Sequence, residues 1–145
     1  MSRETAENRG EKRAVASEPI ILEIPSSSEY VLLGRLIVTQ MGQVAGFGPE
    51  DIYDLKLAVT EAITNAIRHA RVDTIRIEYR ARPSEIEISV IDAGGGFDAK
   101  TLTRDPDEQG GFGLAVIGNL VDEVALDSGV YGTRLTMIRR IPTSV

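Results

Sequence analysis

The sequence predicts an α/β domain, a two-layer sandwich whose largely antiparallel mixed sheet carries its helices on one face. Three observations lead there. The apolar period switches from two to three-and-four and back along the chain. The elements read β-α-α-β-β-loop-α-β-β. Neighbouring strand pairs are joined as hairpins, which makes them antiparallel. The sustained strand–helix alternation of a doubly wound parallel sheet is missing.

The segment from Met1 to about Ser17, "MSRETAENRGEKRAVAS", is polar, mixed in charge and without period. It is expected to be a disordered leader, which leaves residues 18–145 as one domain. "PIILEI", Pro19 to Ile24, reads as a strand ended by Pro25 and three serines. From Ser28 the period becomes helical, with Ser27 or Ser28 as the candidate cap. Tyr30, Leu33, Ile37, Met41 and Val44 form the expected core-facing stripe, with Leu36 and Gln40 beside it. "GFGP" (Gly46 to Pro49) breaks the chain, and Pro49 suits the first turn of a second helix. There Ile52, Leu55, Val59, Ala62, Ala66 and Ile67 supply the apolar face. Glu50 and Asp51 lie near its start, where the helix dipole favours them.

"TIRIEY" (Thr74 to Tyr79) and "EIEISVID" (Glu85 to Asp92) alternate with period two and form a hairpin. The glycine-rich, charged connection from Asp92 to Gly111 is long for a compact domain, and such connections tend to be functional. "FGLAVIGNLV" (Phe112 to Val121) has helical spacing, weakened at Gly118. "DEVALDSG" and "YGTRLTMIRR" end the chain as a strand pair turning across Ser128 and Gly129.

The chain has 145 residues, enough to bury a core without staples. Hydrophobic residues make up 42% and aromatic residues 5%, with no Trp, so Ile, Leu, Val and Ala must build that core. The formal charge of −6 and the lack of a Lys/Arg cluster argue against nucleic acid as a direct partner. With no cysteine, disulfides, thiolate metal sites and thiol nucleophiles are excluded. No apolar run approaches a membrane span and no signal-type core is present, so the expected location is cytoplasmic.

"EAITNAIRHA" sets Glu61, Asn65 and His69 four residues apart, stacked turn upon turn along one helix. Glu61 alone, or His69 alone, is compatible with a stripe that merely faces water. Asn65 is more informative, because asparagine inside a helix competes for backbone hydrogen bonds and forms helix poorly. A carboxamide and a carboxylate one turn apart offer hard oxygen ligands of the kind Mg²⁺ accepts beside phosphates. Glu61 is alternatively placed to take a proton from an incoming hydroxyl or water. Either role requires a phosphate-binding loop nearby.

Two glycine loops are candidates. "VIDAGGGFD" ends a strand at Asp92 and lets backbone approach a flat ligand, with Asp92 accepting from an amino group. Its GxGxxA match is a weak dinucleotide signature, since no good helix follows, and no GxxxxGK[ST] loop occurs. "EQGGFGLAVI" leads Gly110, Gly111 and Gly113 into a helix whose first amides are free to attract phosphate.

With "EAITNAIRHA", "DAGGGF", "GFGLAVI" and "GTRL" in that order, the chain resembles the GHKL ATPase superfamily over about Pro19 to Arg139. Within it, the chain is most similar to the anti-sigma factor serine kinases of bacteria, the RsbW/SpoIIAB-like group. The resemblance implies the Bergerat ATP-binding fold, with ATP and Mg²⁺ as cofactors. By the same resemblance Asn65 is the Mg²⁺ ligand and Glu61 activates the attacking hydroxyl. Asp92 reads the adenine amino group, Gly94 and Gly96 make room beside the base, and Thr133 lies near the adenine side. Gly111 and Gly113, with Phe112 between them, line the phosphates. His69 falls where the family often has histidine, and Arg35 matches an arginine linked to nucleotide or partner contacts. The implied partners are a sigma factor and a STAS-type anti-sigma factor antagonist, and the implied assembly is a homodimer.

One departure stands out. Close relatives often place an arginine just before the second glycine box, where this chain has Gln109 and Gly110. Arg104, in the expected lid over Asp98 to Gly110, is the candidate substitute for contacting the terminal phosphate. Without that contact, the implied activity narrows to an ATP-binding partner switch with no phosphoryl transfer. A free-standing histidine kinase domain fits less well, because the only histidine lies inside the nucleotide helix itself.

Overall fold

The chain is described from a computed structural model that covers residues 18–93, 114–130 and 132–141. The expected leader, the lid with Arg104, and Gly94, Gly96, Gly111, Phe112 and Gly113 lie outside the described residues. The elements are β1 (Ile20–Pro25), a 3-10 turn (Ser28–Tyr30), α1 (Val31–Ala45), α2 (Pro49–Ala70), β2 (Thr74–Arg82), β3 (Glu85–Asp92), α3 (Leu114–Leu120), β4 (Glu123–Gly129) and β5 (Gly132–Arg140). The strands form one sheet in the order β1-β2-β3-β5-β4, and each of the four pairings is antiparallel. The helices pack on one face, as the sequence predicts, and α2 lies across β2, β3 and β5.

Register and alternation resolve the helix-facing side of the sheet into rows. Leu22, Ile77, Val90, Leu135 and Leu126 form one row, and Ile20, Tyr79, Ile88, Met137 and Val124 the next. These rows are apolar and buried at their centre. Apart from the Tyr79 hydroxyl, polar groups interrupt the face only at its ends. Asp92, Thr133 and Ser128 lie side by side on β3, β5 and β4 at one end, and Arg139 lies at the other.

Arg139 is fully engaged. Its guanidinium pairs with Asp51 and, at 3.3 Å, with Asp54, and it donates to the Leu120 carbonyl at 2.7 Å. It thereby ties β5 to the start of α2 and the end of α3. Burial lowers its pKa, but the Asp51 hydrogen bond and the charges of Asp51, Asp54 and Asp122 together outweigh that, and the net shift is upward.

The outer face of the sheet is laced with ion pairs. Arg76 meets Glu23 and Glu78, Arg134 meets Glu78, Arg82 meets Glu85 and Glu87, and Arg140 meets Glu85 and Glu123. Ser89 and Thr136 share a hydroxyl hydrogen bond of 2.9 Å in its middle.

Helix α1 corrects the expected stripe. Val31, Gly34, Val38, Met41 and Gly42 are buried, whereas Leu33, Leu36 and Val44 are exposed. The cause is close helix–helix packing. A Cβ on Gly34 would fall 2.6 Å from Ile63 Cδ1, and one on Gly42 would fall 2.6 Å from Ile52 Cγ1. Two glycines therefore set the height of α1 above α2, and the face that packs is not the most apolar one. The Tyr79 hydroxyl reaches through the gap to the Gly34 carbonyl at 3.1 Å, and burial pushes its pKa up.

Other boundaries shift modestly. Pro49 opens α2 at its first position, with Gly48 before it, and Arg71 closes it with a left-handed φ of 56°. Ser27 precedes the 3-10 turn without a side-chain cap. β2 continues three residues past Tyr79 to Arg82. The β4–β5 pairing runs through Ser128↔Thr133 to Gly129↔Gly132, so Ser128 and Gly129 lie in a strand rather than at the expected turn. No helix among the described residues is long and apolar enough to cross a membrane.

Candidate functional site

Helix α2 has an inner face of small and branched residues, Ala58, Val59, Ala62 and Ile63, that seats it on the sheet. Asn65 falls on that face and is only 4% exposed. Neither its amide nitrogen nor its amide oxygen has a hydrogen-bond partner among the described residues. A buried amide left in that state costs about 1–3 kcal/mol, so a fold that keeps one is holding it for something else. Glu61 and His69, one turn to either side, are half-buried at the margin of the same face. Burial, and then the positive charge of Arg68, lower the His69 pKa below 6.5, which keeps the imidazole neutral at pH 7.

Asp92 ends β3 and is 3% exposed. Its cross-strand neighbour is Thr133, whose own neighbour on β4 is Ser128. The Thr133 and Ser128 hydroxyls are 3.1 Å apart. An open cavity of about 310 Å³ lies here, lined by Asp92, Ala93, Ser128, Gly129, Gly132 and Thr133 among others. Gly132 has φ 128°, and a Cβ there would fall 2.0 Å from the Asp92 carbonyl oxygen. Only glycine permits this approach, and it fixes the end of β3 against the start of β5.

The structure thus brings Asp92 and Thr133 together and sets Glu61, Asn65 and His69 on the helix that crosses their strands. Arg35 lies on α1, half-buried, with its Nε buried and without a partner among the described residues. Reading the sequence missed Ser128 and Gly132. Ser128 sat in a Ser-Gly pair that reads as a turn. Gly132 was visible in "GTRL", but its steric role depends on a register the sequence does not display.

The donor set fits a nucleotide with a divalent cation. Asn65 presents an amide oxygen without a partner among the described residues and Glu61 a carboxylate, both hard ligands, while Asp92 borders a cavity at the end of β3. Among the described residues no group of three or more His, Cys, Asp or Glu side chains is placed to hold a metal. Mg²⁺ needs no such cage when phosphates and water complete its shell.

The family model of the histidine kinase-like ATPase domain matches residues 24–139. The chain belongs to that family. It is 39% identical over 134 residues to the serine-protein kinase RsbW of Listeria innocua, covering 81% of this chain and 85% of that one. It is 36% identical over 137 residues to RsbW of Oceanobacillus iheyensis, covering 84% and 86% of the two chains. RsbW of Staphylococcus aureus is 38% identical over 129 residues, covering 77% and 81%. A structure of the RsbU and RsbW domains of a Mycobacterium tuberculosis protein superposes with a TM-score of 0.68 at 21% identity. That match covers 88% of this chain and 33% of the larger one, and supports the fold. This histidine kinase-like ATPase domain is therefore related to the RsbW-like anti-sigma kinases, and its antiparallel sheet with helices on one face is the GHKL-type architecture.

Proposed function

We propose that the chain is an anti-sigma factor with ATP-dependent serine/threonine-protein kinase activity. Its substrate in this reading is a STAS-type anti-sigma factor antagonist, whose phosphorylation leaves the chain free to sequester a sigma factor. The observation that carries the proposal is Asn65, whose buried amide lacks a partner among the described residues and stands in the "EAITNAIRHA" run that carries the resemblance to the GHKL superfamily.

In this reading Asp92 accepts a hydrogen bond from the adenine amino group, and Thr133 faces the neighbouring part of the base edge. Gly94 and Gly96 give the base room, while His69, Gly111, Phe112 and Gly113 line the rest of the nucleotide. The Asn65 amide oxygen faces the cation. Bound Mg²⁺ supplies neutralisation of phosphate charge, which is most of what phosphoryl transfer asks of a site. Glu61 orients the hydroxyl of the incoming serine or threonine and takes its proton, and Arg104 meets the terminal phosphate. Arg35 contributes to partner contact. The working unit is a cytoplasmic homodimer.

The test is incubation with radiolabelled ATP and candidate STAS-domain antagonists. Label is expected on an antagonist serine or threonine, with Glu61→Ala lowering the rate about 100-fold or more. Unchanged transfer by that variant overturns the base assignment, and no binding of ATP by titration calorimetry overturns the nucleotide reading.

A second reading is favoured by one feature, Gln109 and Gly110 where relatives often carry an arginine. In it the chain binds ATP and switches partners without transferring phosphate. Tight ATP binding together with no label on any antagonist selects this alternative.

A further inference from the structure

Ser128 has no part in the reading above, yet the fold sets it third in the row Asp92, Thr133, Ser128. We propose that Ser128 is a positioning residue that fixes the hydrogen-bonding direction of Thr133, and through it recognition of the ring nitrogen beside the base's amino group. This rests on the nucleotide reading, and deepens it by naming what sets base selectivity on the second atom of the base edge.

Proton supply decides which way the Ser128–Thr133 bond runs. Each hydroxyl has one proton and two lone pairs. The Ser128–Thr133 bond, at 3.1 Å, can run either way. Thr133 is buried, so its one proton goes to Ser128, to the neighbouring Asp92 carboxylate, or to a ligand in the cavity. When a ligand presents a lone pair, Thr133 must donate outward, and Ser128 must then donate to Thr133. Ser128 is half-buried on the β4 edge strand and can fill its own lone pairs from solvent.

The row then presents an acceptor at Asp92 and a donor at Thr133 in adjacent positions. Adenine presents the complement, an amino donor beside a ring nitrogen that accepts. A base with a carbonyl beside an N–H presents the reverse pattern. The hydroxyl pair can reverse to meet it, but an ionised carboxylate cannot donate. Asp92 therefore rejects the wrong base, and Ser128 sharpens the fit of the right one, directly or through one bridging water.

A merely structural reading makes Ser128–Thr133 a cross-strand hydroxyl pair that closes the β4–β5 hairpin. A nucleotide analogue separates the two. In 1-deaza-ATP the ring nitrogen is replaced by C–H while the amino group is kept, so nothing remains for Thr133 to donate to. Ser128→Val and Ser128→Thr are of equal shape and differ in one hydroxyl, which guards against misfolding as the cause. Titration calorimetry of the full chain with Mg²⁺, and thermal melting of each variant, complete the design. Ser128→Val is expected to weaken ATP binding about 3- to 10-fold, the worth of one hydrogen bond. It should leave 1-deaza-ATP binding unchanged, and Ser128→Thr should restore ATP binding to within about twofold. Equal losses with both nucleotides, or no loss with ATP, would overturn the inference while the nucleotide reading stands. If the unaltered chain binds neither nucleotide, the underlying reading falls and Ser128 with it.

Discussion

The two polar ends of the helix-facing side of the sheet differ in one respect. At the Arg139 end, carboxylates and a carbonyl take up the guanidinium's hydrogen bonds, and the cluster ties three elements together. At the other, Asp92 and Thr133 border a cavity, and the helix that crosses their strands carries Asn65, whose amide has no partner among the described residues. Buried polarity that is satisfied internally reads as architecture, and buried polarity held in reserve reads as a site.

Substitutions can break or sharpen this contrast, and the largest effect is expected at Gly132. Gly132→Ala combines an unfavourable φ with a Cβ 2.0 Å from the Asp92 carbonyl oxygen. It should cost about 3–4 kcal/mol and abolish measurable ATP binding, as read by chemical denaturation and calorimetry. Arg139→Met should cost about 2–3 kcal/mol, somewhat less than loss of one member of a fully buried pair, by leaving Asp51 and Asp54 without their cation. ATP affinity of the folded variant should stay within about twofold. A large loss of affinity there would erase the distinction between the two ends. Asp92→Ala should do the converse, weakening ATP about 100-fold through a lost charge-assisted contact, with the melting midpoint as control.

Gly34→Ala tests the helix layer alone. The added methyl meets the flexible end of Ile63 at 2.6 Å and should cost about 1–2 kcal/mol with little effect at either end. The smallest effect concerns pH. The His69 pKa is lowered in the folded chain, so on acidification the unfolded chain takes up its proton first. Stability should therefore be constant in this group above pH 6.5 and fall as pH drops from 6.5 to the lowered value. As the chain has one histidine, melting curves of the unaltered protein and His69→Gln between pH 5.5 and 7.5 isolate the contribution. A slope shared by both would remove it.

The strands and α2 were legible because their apolar spacing and burial coincide. Ile77, Tyr79, Ile86, Ile88 and Val90 alternate in sequence and are buried. The packing stripe on α1 is not legible in the sequence because Leu33 and Val44 outweigh Gly34 and Gly42 in hydropathy, although the glycines are what allow contact. For the site, Asn65 announced itself by being costly in a helix interior, and Asp92 by closing a strand ahead of glycines. Ser128 was hidden because hydroxyl and glycine together signal a turn, and its meaning comes from a cross-strand neighbour. Arg139 sat in an unremarked basic pair with Arg140, and alternation separates them onto opposite faces of the sheet.

The outer face of the sheet carries a consequence for assembly. Arg76, Arg82, Arg134 and Arg140 each already lie against a carboxylate. A charged macromolecule would have to compete with those carboxylates for the four guanidinium groups. Such a surface is a poor adhesive for acidic and basic visitors alike.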